Sequence, residues 1–309
     1  MEKPIKHIVS LSGGKDSTAM LLRMIEDGWP IDIILFCDTG MEFDAMYRHI
    51  DKVEKYIGRP IVRLKSPQSF EYLFYEYSPK RSNPKLEQYK GFSWPGPRNR
   101  WCTAMLKTRI IAQYLRELSQ EYTLVQYIGI AADEPKRVRD HRYPLVEWGM
   151  TEANCLAYCK ERGFDWEGLY DIFHRVSCWC CPLQSYDEMR KLRKHFPELW
   201  QKLLYMDEHT WRTFIKGYTA KQLETRFAFE DALIAQGQTT ASCKRSSPFL
   251  TRIGSVGISS CRWLLIYCPF SNPWMMNSNG RNSALLVFKV RDERTVIYCA
   301  SGSAKTASR

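Results

Sequence analysis

HIVSLSGGKDSTAML, residues 7–21, carries an apolar stretch into a serine–glycine–glycine turn and then into a helical pattern. Strand, glycine turn and helix in that order open a βα unit. Glycines let the backbone take positive φ and approach an anion closely. The helix start that follows offers unpaired N–H groups and the positive end of its dipole. Ser12, Ser17 and Thr18 can donate hydroxyl hydrogen bonds, and Lys15 adds positive charge. Such a turn suits a phosphate. Its spacing matches neither the G-x-x-x-x-G-K-S/T loop nor G-x-G-x-x-G, so a hydride-transfer cofactor has little support.

The rhythm repeats outward from this stretch. IDIILFCDTG (31–40), PIVRLKS (60–66) and YTLVQYIGIAADE (122–134) read as further strands, with amphipathic helices over about 15–27, 42–57 and 103–118. Nearly all-apolar strands alternating with helices predict an α/β fold with a doubly wound, mostly parallel sheet. Ligands of such sheets bind beyond the strand carboxyl ends, where SLSGG, CDTG and GIAADE all fall. Residues 75–100 break the rhythm with four prolines among aromatic and basic residues. They read as a lid over a ligand or a loop touching single-stranded nucleic acid. The expected divisions are an α/β domain over 1–150, a mainly helical cysteine-containing segment over 151–236, and a basic, serine-rich tail over 237–309. That tail reads as poorly ordered or as a small β extension.

Net charge is +11, but residues 240–309 carry 10 Lys and Arg against 2 Asp and Glu. The basic balance therefore reports mostly the tail, and charge alone makes no case for nucleic acid. No apolar run approaches the roughly 18–20 residues that span a bilayer. Residues 1–17 show no secretory apolar segment, so a cytoplasmic location is expected.

Four segments in order resemble the phosphoadenosine phosphosulfate reductase family of the PP-loop adenine nucleotide alpha-hydrolase superfamily. They are SGGKDS (12–17), FCDTGMEF (36–43), RWCTAMLK (100–107) and GIAADEPKR (129–137). The resemblance covers roughly residues 5–210 and implies an adenine nucleotide alpha-hydrolase-like, Rossmann-like fold. It implies that Ser12, Gly13, Gly14, Lys15, Asp16 and Ser17 hold phosphates, with Lys15 and Asp16 also catalytic. Asp38 and Glu42 would lie near the nucleotide or its Mg²⁺. Arg100, Trp101, Lys107 and Arg137 would supply cations and a stacking face, and Gly129 and Asp133 would line the pocket. The chain departs from many relatives where Ala131 replaces an arginine and Pro135 a serine. It also lacks the C-terminal cysteine motif of true sulfonucleotide reductases, and Cys243, Cys261, Cys268 and Cys299 match no known motif.

Eleven cysteines in a reducing compartment point to metal or redox chemistry rather than disulfides. SCWCCP (177–182) holds Cys178 and Cys181 at C-x-x-C spacing before a proline, a usual half-site for a metal. Cys102 sits at a helix start beside basic residues that would favour its thiolate. Cys155 and Cys159 stand one helical turn apart. The expected metal set is Cys102, Cys159, Cys178 and Cys181, with Cys155 or Cys180 as substitutes. Thiolates admit zinc or an iron–sulfur cluster. Sulfur-transfer enzymes that resemble this layout carry a 4Fe-4S cluster, which favours that cofactor over zinc. His174 lies near this group, with core packing as its expected role.

Two enzymatic readings follow. In one, ATP binds the loop, an acceptor is adenylated with loss of pyrophosphate, and sulfur is transferred from a donor protein. In the other, a thiolate, with Cys102 as its candidate, attacks the sulfate sulfur of an adenylyl-sulfate nucleotide, served by a thioredoxin-like reductant. A third reading, of another class, is a non-catalytic nucleotide-binding subunit of a nucleic-acid modification system. No membrane partner is expected.

Overall fold

The computed structural model describes residues 3–235, 237, 284–290 and 294–300. In chain order come β1 (Ile5–Ser10), α1 (Lys15–Glu26), β2 (Ile33–Asp38), α2 (Asp44–Ile57), β3 (Val62–Lys65) and α3 (Phe70–Tyr75). Next are α4 (Trp101–Thr103), α5 (Arg109–Leu118), β4 (Thr123–Ile128), α6 (Pro144–Glu147), α7 (Glu152–Glu161) and α8 (Leu169–Ile172). The chain continues with α9 (Tyr186–His195), α10 (Pro197–Glu208), α11 (Ala220–Ala235), β5 (Ala284–Val290) and β6 (Arg294–Ala300). It divides into two compact units, Met1–Gln222 and Leu223–Arg309.

The first unit is built on a four-stranded parallel sheet in the order β3-β2-β1-β4. β1 pairs with β4 from Ile5↔Thr123 and with β2 from Ile8↔Ile33. The chain thus leaves β1 on one side for β2 and β3, then crosses to the other side for β4. The crevice beside β1 is where that order reverses, and it is the expected ligand position in an open parallel sheet. The doubly wound α/β reading of the sequence is the observed architecture.

Local chemistry explains the elements around this crevice. Ile8 and Val9 of β1 are wholly buried, as strands covered on both faces require. α1 buries Met20, Leu21, Leu22 and Met24 and packs against α7. α7 starts at a capping box in which Thr151 accepts from the Asn154 N–H and the Asn154 side chain accepts from the Thr151 N–H. Arg162, just past its end, fixes it to α1 through Glu26 at 2.6 Å. α4 and α5 are joined by a π turn over Ala104–Thr108, a local widening that often marks functional positions. It carries Lys107.

Part of residues 75–100, around 91–96, is packed into the core, unlike the lid or nucleic-acid loop expected for the segment. Trp94 is fully buried and its indole N–H donates to Asp207 Oδ1 at 2.8 Å. Trp94 also meets the rings of Phe74 and Phe214 edge-on, at 4.7 and 4.8 Å. Gly91 has φ +65, and a Cβ there would lie 1.9 Å from the Phe74 carbonyl oxygen. Trp94 is a core residue and Phe92 is half-buried, whereas Tyr89 stays exposed; burying the first two offsets part of the ordering of a long proline-containing connection.

In the second unit, Arg226 pairs with Glu230 at 2.9 Å inside the helix, and both are buried. β5 pairs antiparallel with β6, from Ala284↔Ala300 to Val290↔Arg294. The apolar stretch 261–268, and with it Cys261 and Cys268, lies outside the described residues, as does Cys243.

Candidate functional site

Residues 12–17 leave the carboxyl end of β1 as a tight cradle. Gly13 has φ +83, and a Cβ on it would meet Met46 Sδ at 2.6 Å, so only glycine fits. The Ser12 hydroxyl lies 2.9 Å from Ser17 Oγ, and Ser17 Oγ donates to the Gly14 carbonyl at 3.1 Å. These bonds close the turn on itself. Gly129, just past β4, presses onto it from the next strand: a Cβ there would sit 2.7 Å from Ser17 Cα and 2.9 Å from Ser17 N. The expected role of Gly129 beside the loop thus has a steric cause.

Four residues that the sequence did not single out hold the cradle from below and from the side. The Trp166 indole N–H donates to the Gly13 carbonyl at 2.7 Å, and its ring stacks on His49 at 4.4 Å. His49 Nε2 lies 3.0 Å from Thr18 Oγ1, and burial pushes its pKa down to about 3, so it stays neutral. Trp166 and Glu167 both take left-handed backbone conformations, with φ 51 and 52, a strain that such contacts must hold. The Lys15 N–H donates to the Tyr170 hydroxyl at 2.9 Å, and Lys15 Nζ pairs with Glu152 Oε2 at 2.5 Å. No local motif announces these partners; His49 lies 31 residues from Thr18, and the other three arrive from more than 130 residues away.

The charged rim is uneven. Burial raises the Asp16 carboxyl from 3.8 to about 6; Lys15 opposes the rise, and Glu152 and Glu134 add to it. Asp16 Oδ1 is buried without a hydrogen-bond partner, and Lys15 Nζ lies 3.7 Å from it. Asp133 accepts the Glu152 N–H at 3.1 Å, fixing the start of α7. Arg137 is exposed and paired with Glu134.

A second polar group forms at the end of β2. Asp38 accepts from the Gly40 N–H at 2.7 Å and from the Tyr47 hydroxyl at 2.8 Å, and pairs with Lys65 at 3.1 Å. Buried Glu42 accepts from Thr39 and Tyr47, and Lys107 Nζ lies 3.4 Å from it. Asp38, Lys65, Ser66, Gln68 and Leu106 line part of a cleft of about 200 Å³ here. Arg100 is exposed at the start of α4. Trp101 corrects the expectation of a stacking face: it is 3 % exposed, with Phe92 stacked on it at 5.2 Å and Phe70 at 5.1 Å. Its N–H donates to the Ser93 carbonyl. Its faces belong to the core.

The cysteines separate into two groups. Cys155 and Cys159 are buried on α7, with Cys159 Sγ 3.5 Å from the Lys15 carbonyl. Cys178 Sγ lies 3.9 Å from Glu42 Oε1 and 3.8 Å from Thr39 Oγ1. Cys180 interacts electrostatically with Cys178, Cys181 and Cys102. The structure therefore brings Cys102, Cys178 and Cys181 toward one region and places Cys159 with the loop. Among the described residues, no three His, Cys, Asp or Glu side chains are placed to hold a metal ion. As arranged, the four expected thiols do not fit a zinc ion or a 4Fe-4S cluster. Burial pushes the Cys178 thiol up to about 12 and raises Cys181. Burial also raises Cys102, outweighing Thr103 and Arg100, so the expected thiolate is not favoured there. His174 is exposed rather than packed in the core.

Residues 6–184 match the family model of the phosphoadenosine phosphosulfate reductase domain. The chain is 26% identical over 237 residues to an uncharacterized protein of Methanocaldococcus jannaschii, covering 72% of this chain and 43% of that one. It is 27% identical over 176 residues to an uncharacterized nin region protein of Escherichia phage lambda, covering 52% and 60%. The chain spans about half the length of the curated relatives it matches. Phosphoadenylyl-sulfate reductase from Candida auris, in a phosphate complex, aligns with a TM-score of 0.40 at 17% identity, covering 56% of this chain and 81% of that one. No helix among the described residues is long and apolar enough to cross a membrane.

Proposed function

The chain belongs to the phosphoadenosine phosphosulfate reductase domain family, and on that premise we propose that it is an ATP-dependent enzyme of sulfur transfer. Its loop would bind the pyrophosphate of ATP. The observation that carries this reading is the cradle at residues 12–17, where Gly13 at φ +83 opens the start of α1 and Gly129 holds it in place. Ser12, Gly14, Ser17 and the first amides of α1 would take the phosphate oxygens. Lys15 would neutralise their charge. Asp16, with its orphaned Oδ1, is the residue suited to share a Mg²⁺ ion with them.

An acceptor oxygen would attack the α-phosphorus as the bond to the pyrophosphate oxygen breaks. The acceptor leaves this step as its adenylate, and pyrophosphate departs. A sulfur nucleophile, delivered by a donor protein, would then displace AMP. The protein's part is positioning and charge neutralisation. Asp38, Glu42, Lys107, Arg100, Asp133 and Arg137 would border the nucleotide beyond the sheet. No step runs through a metal cluster, because the thiols as placed do not fit one.

The adenylyl-sulfate reading requires a thiolate and, with it, a thioredoxin-like reductant. Cys102 was its candidate, and burial holds that thiol protonated more strongly than usual, which favours the ATP reading. The test is pyrophosphate and AMP release from ATP with Mg²⁺ by the full chain and by Asp16→Ala. Release by the wild type, abolished in Asp16→Ala with ATP binding retained, is expected. Sulfite release from an adenylyl-sulfate nucleotide would establish the other reaction. Biological activity intact in Asp16→Ala would make the chain a nucleotide-binding subunit instead.

A further inference from the structure

The residues nearest the loop's anion-binding groups are a phenol and a carboxylate from later in the chain. Tyr170 Oη accepts the Lys15 N–H at 2.9 Å, at the first residue of α1. A Cβ at Gly14 would lie 3.3 Å from the same oxygen. Glu152 Oε2 holds Lys15 Nζ at 2.5 Å. An N–H at a helix start and a loop lysine are the two donors through which such a turn grips a phosphate. Here a neutral oxygen occupies the first and a negative oxygen the second.

We propose that Tyr170 and Glu152 are stand-ins for the anion: they occupy the loop's phosphate seat in the resting chain, and an incoming polyphosphate displaces both. This rests on the reading of residues 12–17 as a phosphate loop. The displacement has a direction built into the fold. Trp166 and Tyr170 stand four residues apart, across a left-handed kink, and touch the loop at the Gly13 carbonyl and the Lys15 N–H. Phosphate capture therefore releases one end of the 166–170 segment while the indole keeps hold of the other. Glu152, freed from Lys15, remains at the start of α7, where Asp133 accepts its N–H. Occupancy of the loop is thereby coupled to Tyr170 on α8 and to the Glu152 side chain at the start of α7.

A stand-in and a ligand contact make opposite predictions. Removing a ligand contact weakens binding, whereas removing a competitor tightens it, because the seat no longer has to be vacated. The experiment is calorimetric titration of the full chain with inorganic pyrophosphate, for the wild type, Tyr170→Phe and Glu152→Gln. Each variant is expected to bind about fivefold more tightly, the factor that loss of one competing hydrogen bond implies. In the wild type, amide hydrogen exchange should quicken over residues 166–172 when pyrophosphate binds, while residues 12–17 slow. That second measurement keeps the test open if either variant folds poorly. Weaker or unchanged pyrophosphate binding in both variants, or protection of 166–172 together with the loop, overturns the displacement and leaves the phosphate loop standing. Absence of pyrophosphate and ATP binding in a folded wild type overturns the loop reading itself, and the stand-ins with it.

Discussion

At residues 12–17 the chain is gripped from three distant segments, by Trp166 on the Gly13 carbonyl, Tyr170 on the Lys15 N–H, and Gly129 against Ser17. At Cys102, Cys178, Cys180 and Cys181, by contrast, the thiols are gathered mainly by burial. The Cys178 thiol lies 3.8 Å from Thr39 Oγ1 and 3.9 Å from Glu42 Oε1, at the long end of hydrogen bonding for sulfur. The first region uses backbone amides, whose direction is set once the strand and helix are in place. The second uses side chains whose charged form burial opposes. A cradle of amides has its shape before its ligand arrives, even with the Tyr170 hydroxyl on one of its N–H groups. A group of buried thiols needs a compensating positive charge before it can act as thiolates.

The largest effect that could break this contrast is Trp166→Ala. It removes a wholly buried ring and the partner of a buried carbonyl, and should cost about 3–5 kcal/mol in urea unfolding. Trp179, beside the cysteines, is 3 % exposed, so Trp179→Ala should cost a similar amount. Only the first should weaken pyrophosphate binding in calorimetry. Equal losses of affinity would mean that the loop is held by the fold as a whole and not by its named partners. Trp166→Phe narrows the comparison, since it keeps a smaller ring against His49 while removing the N–H to Gly13 and part of the buried ring. Its expected cost is about 1–3 kcal/mol, from a buried carbonyl left without its donor.

Asp16 comes next, and it sharpens the contrast through pH. Its carboxyl is raised from 3.8 to about 6, burial being the main cause. The folded state therefore binds this proton more tightly than the unfolded state does. Below about pH 4 both states are protonated and nothing is lost. Between about pH 4 and 6 the unfolded chain ionises first, and stability falls by up to about 3 kcal/mol, then stays level above pH 6. Asp16→Asn should thus unfold at higher urea than the wild type at pH 7.5, with the difference vanishing near pH 3.5. A difference independent of pH would show that the carboxylate is not desolvated and that the cradle is wetter than its geometry implies. The expected pH dependence would mean that the loop carries a cost of stability for a ligand-facing charge, as functional sites commonly do.

How much of this was legible in the sequence follows from the same contrast. Strand–turn–helix periodicity and the two glycines located the loop, because both are local signals: apolar alternation, then a residue that tolerates φ > 0. The order β3-β2-β1-β4 brought the ends of β1, β2 and β4 together as a parallel sheet requires, so Gly129 could be placed beside the loop without any contact being known. Glu152 and Tyr170 could not, since a glutamate after a threonine cap reads as an ordinary helix start and a tyrosine on a four-residue helix as packing. Trp101 misled for the converse reason. An aromatic between arginine and cysteine at a helix start looks exposed until residues 92–93, a turn of chain with no periodicity, fold over it. The cysteine spacing was visible, yet spacing along the chain did not determine that Cys159 faces Lys15 rather than Cys178.

The smallest effect is the one that bears most directly on those thiols. In the protein as arranged, serine in place of cysteine should cost stability in proportion to burial, because a hydroxyl without a partner is penalised for leaving water. Cys180 is 2 % exposed, so Cys180→Ser should cost about 1–3 kcal/mol. Cys102 and Cys181 are only half-buried, and their serine variants should fall within about 0.5 kcal/mol of the wild type. Urea unfolding of the three variants after chelator treatment gives this order. Anaerobically purified protein that has not met a chelator gives the comparison. If thiolates of Cys102, Cys178 and Cys181 hold a cation there, the order reverses, since a lost ligand then costs more than a buried hydroxyl. The sign of that difference, read on two half-buried residues and one buried neighbour, decides whether this side of the crevice is a packed wall or a site that must rearrange to close.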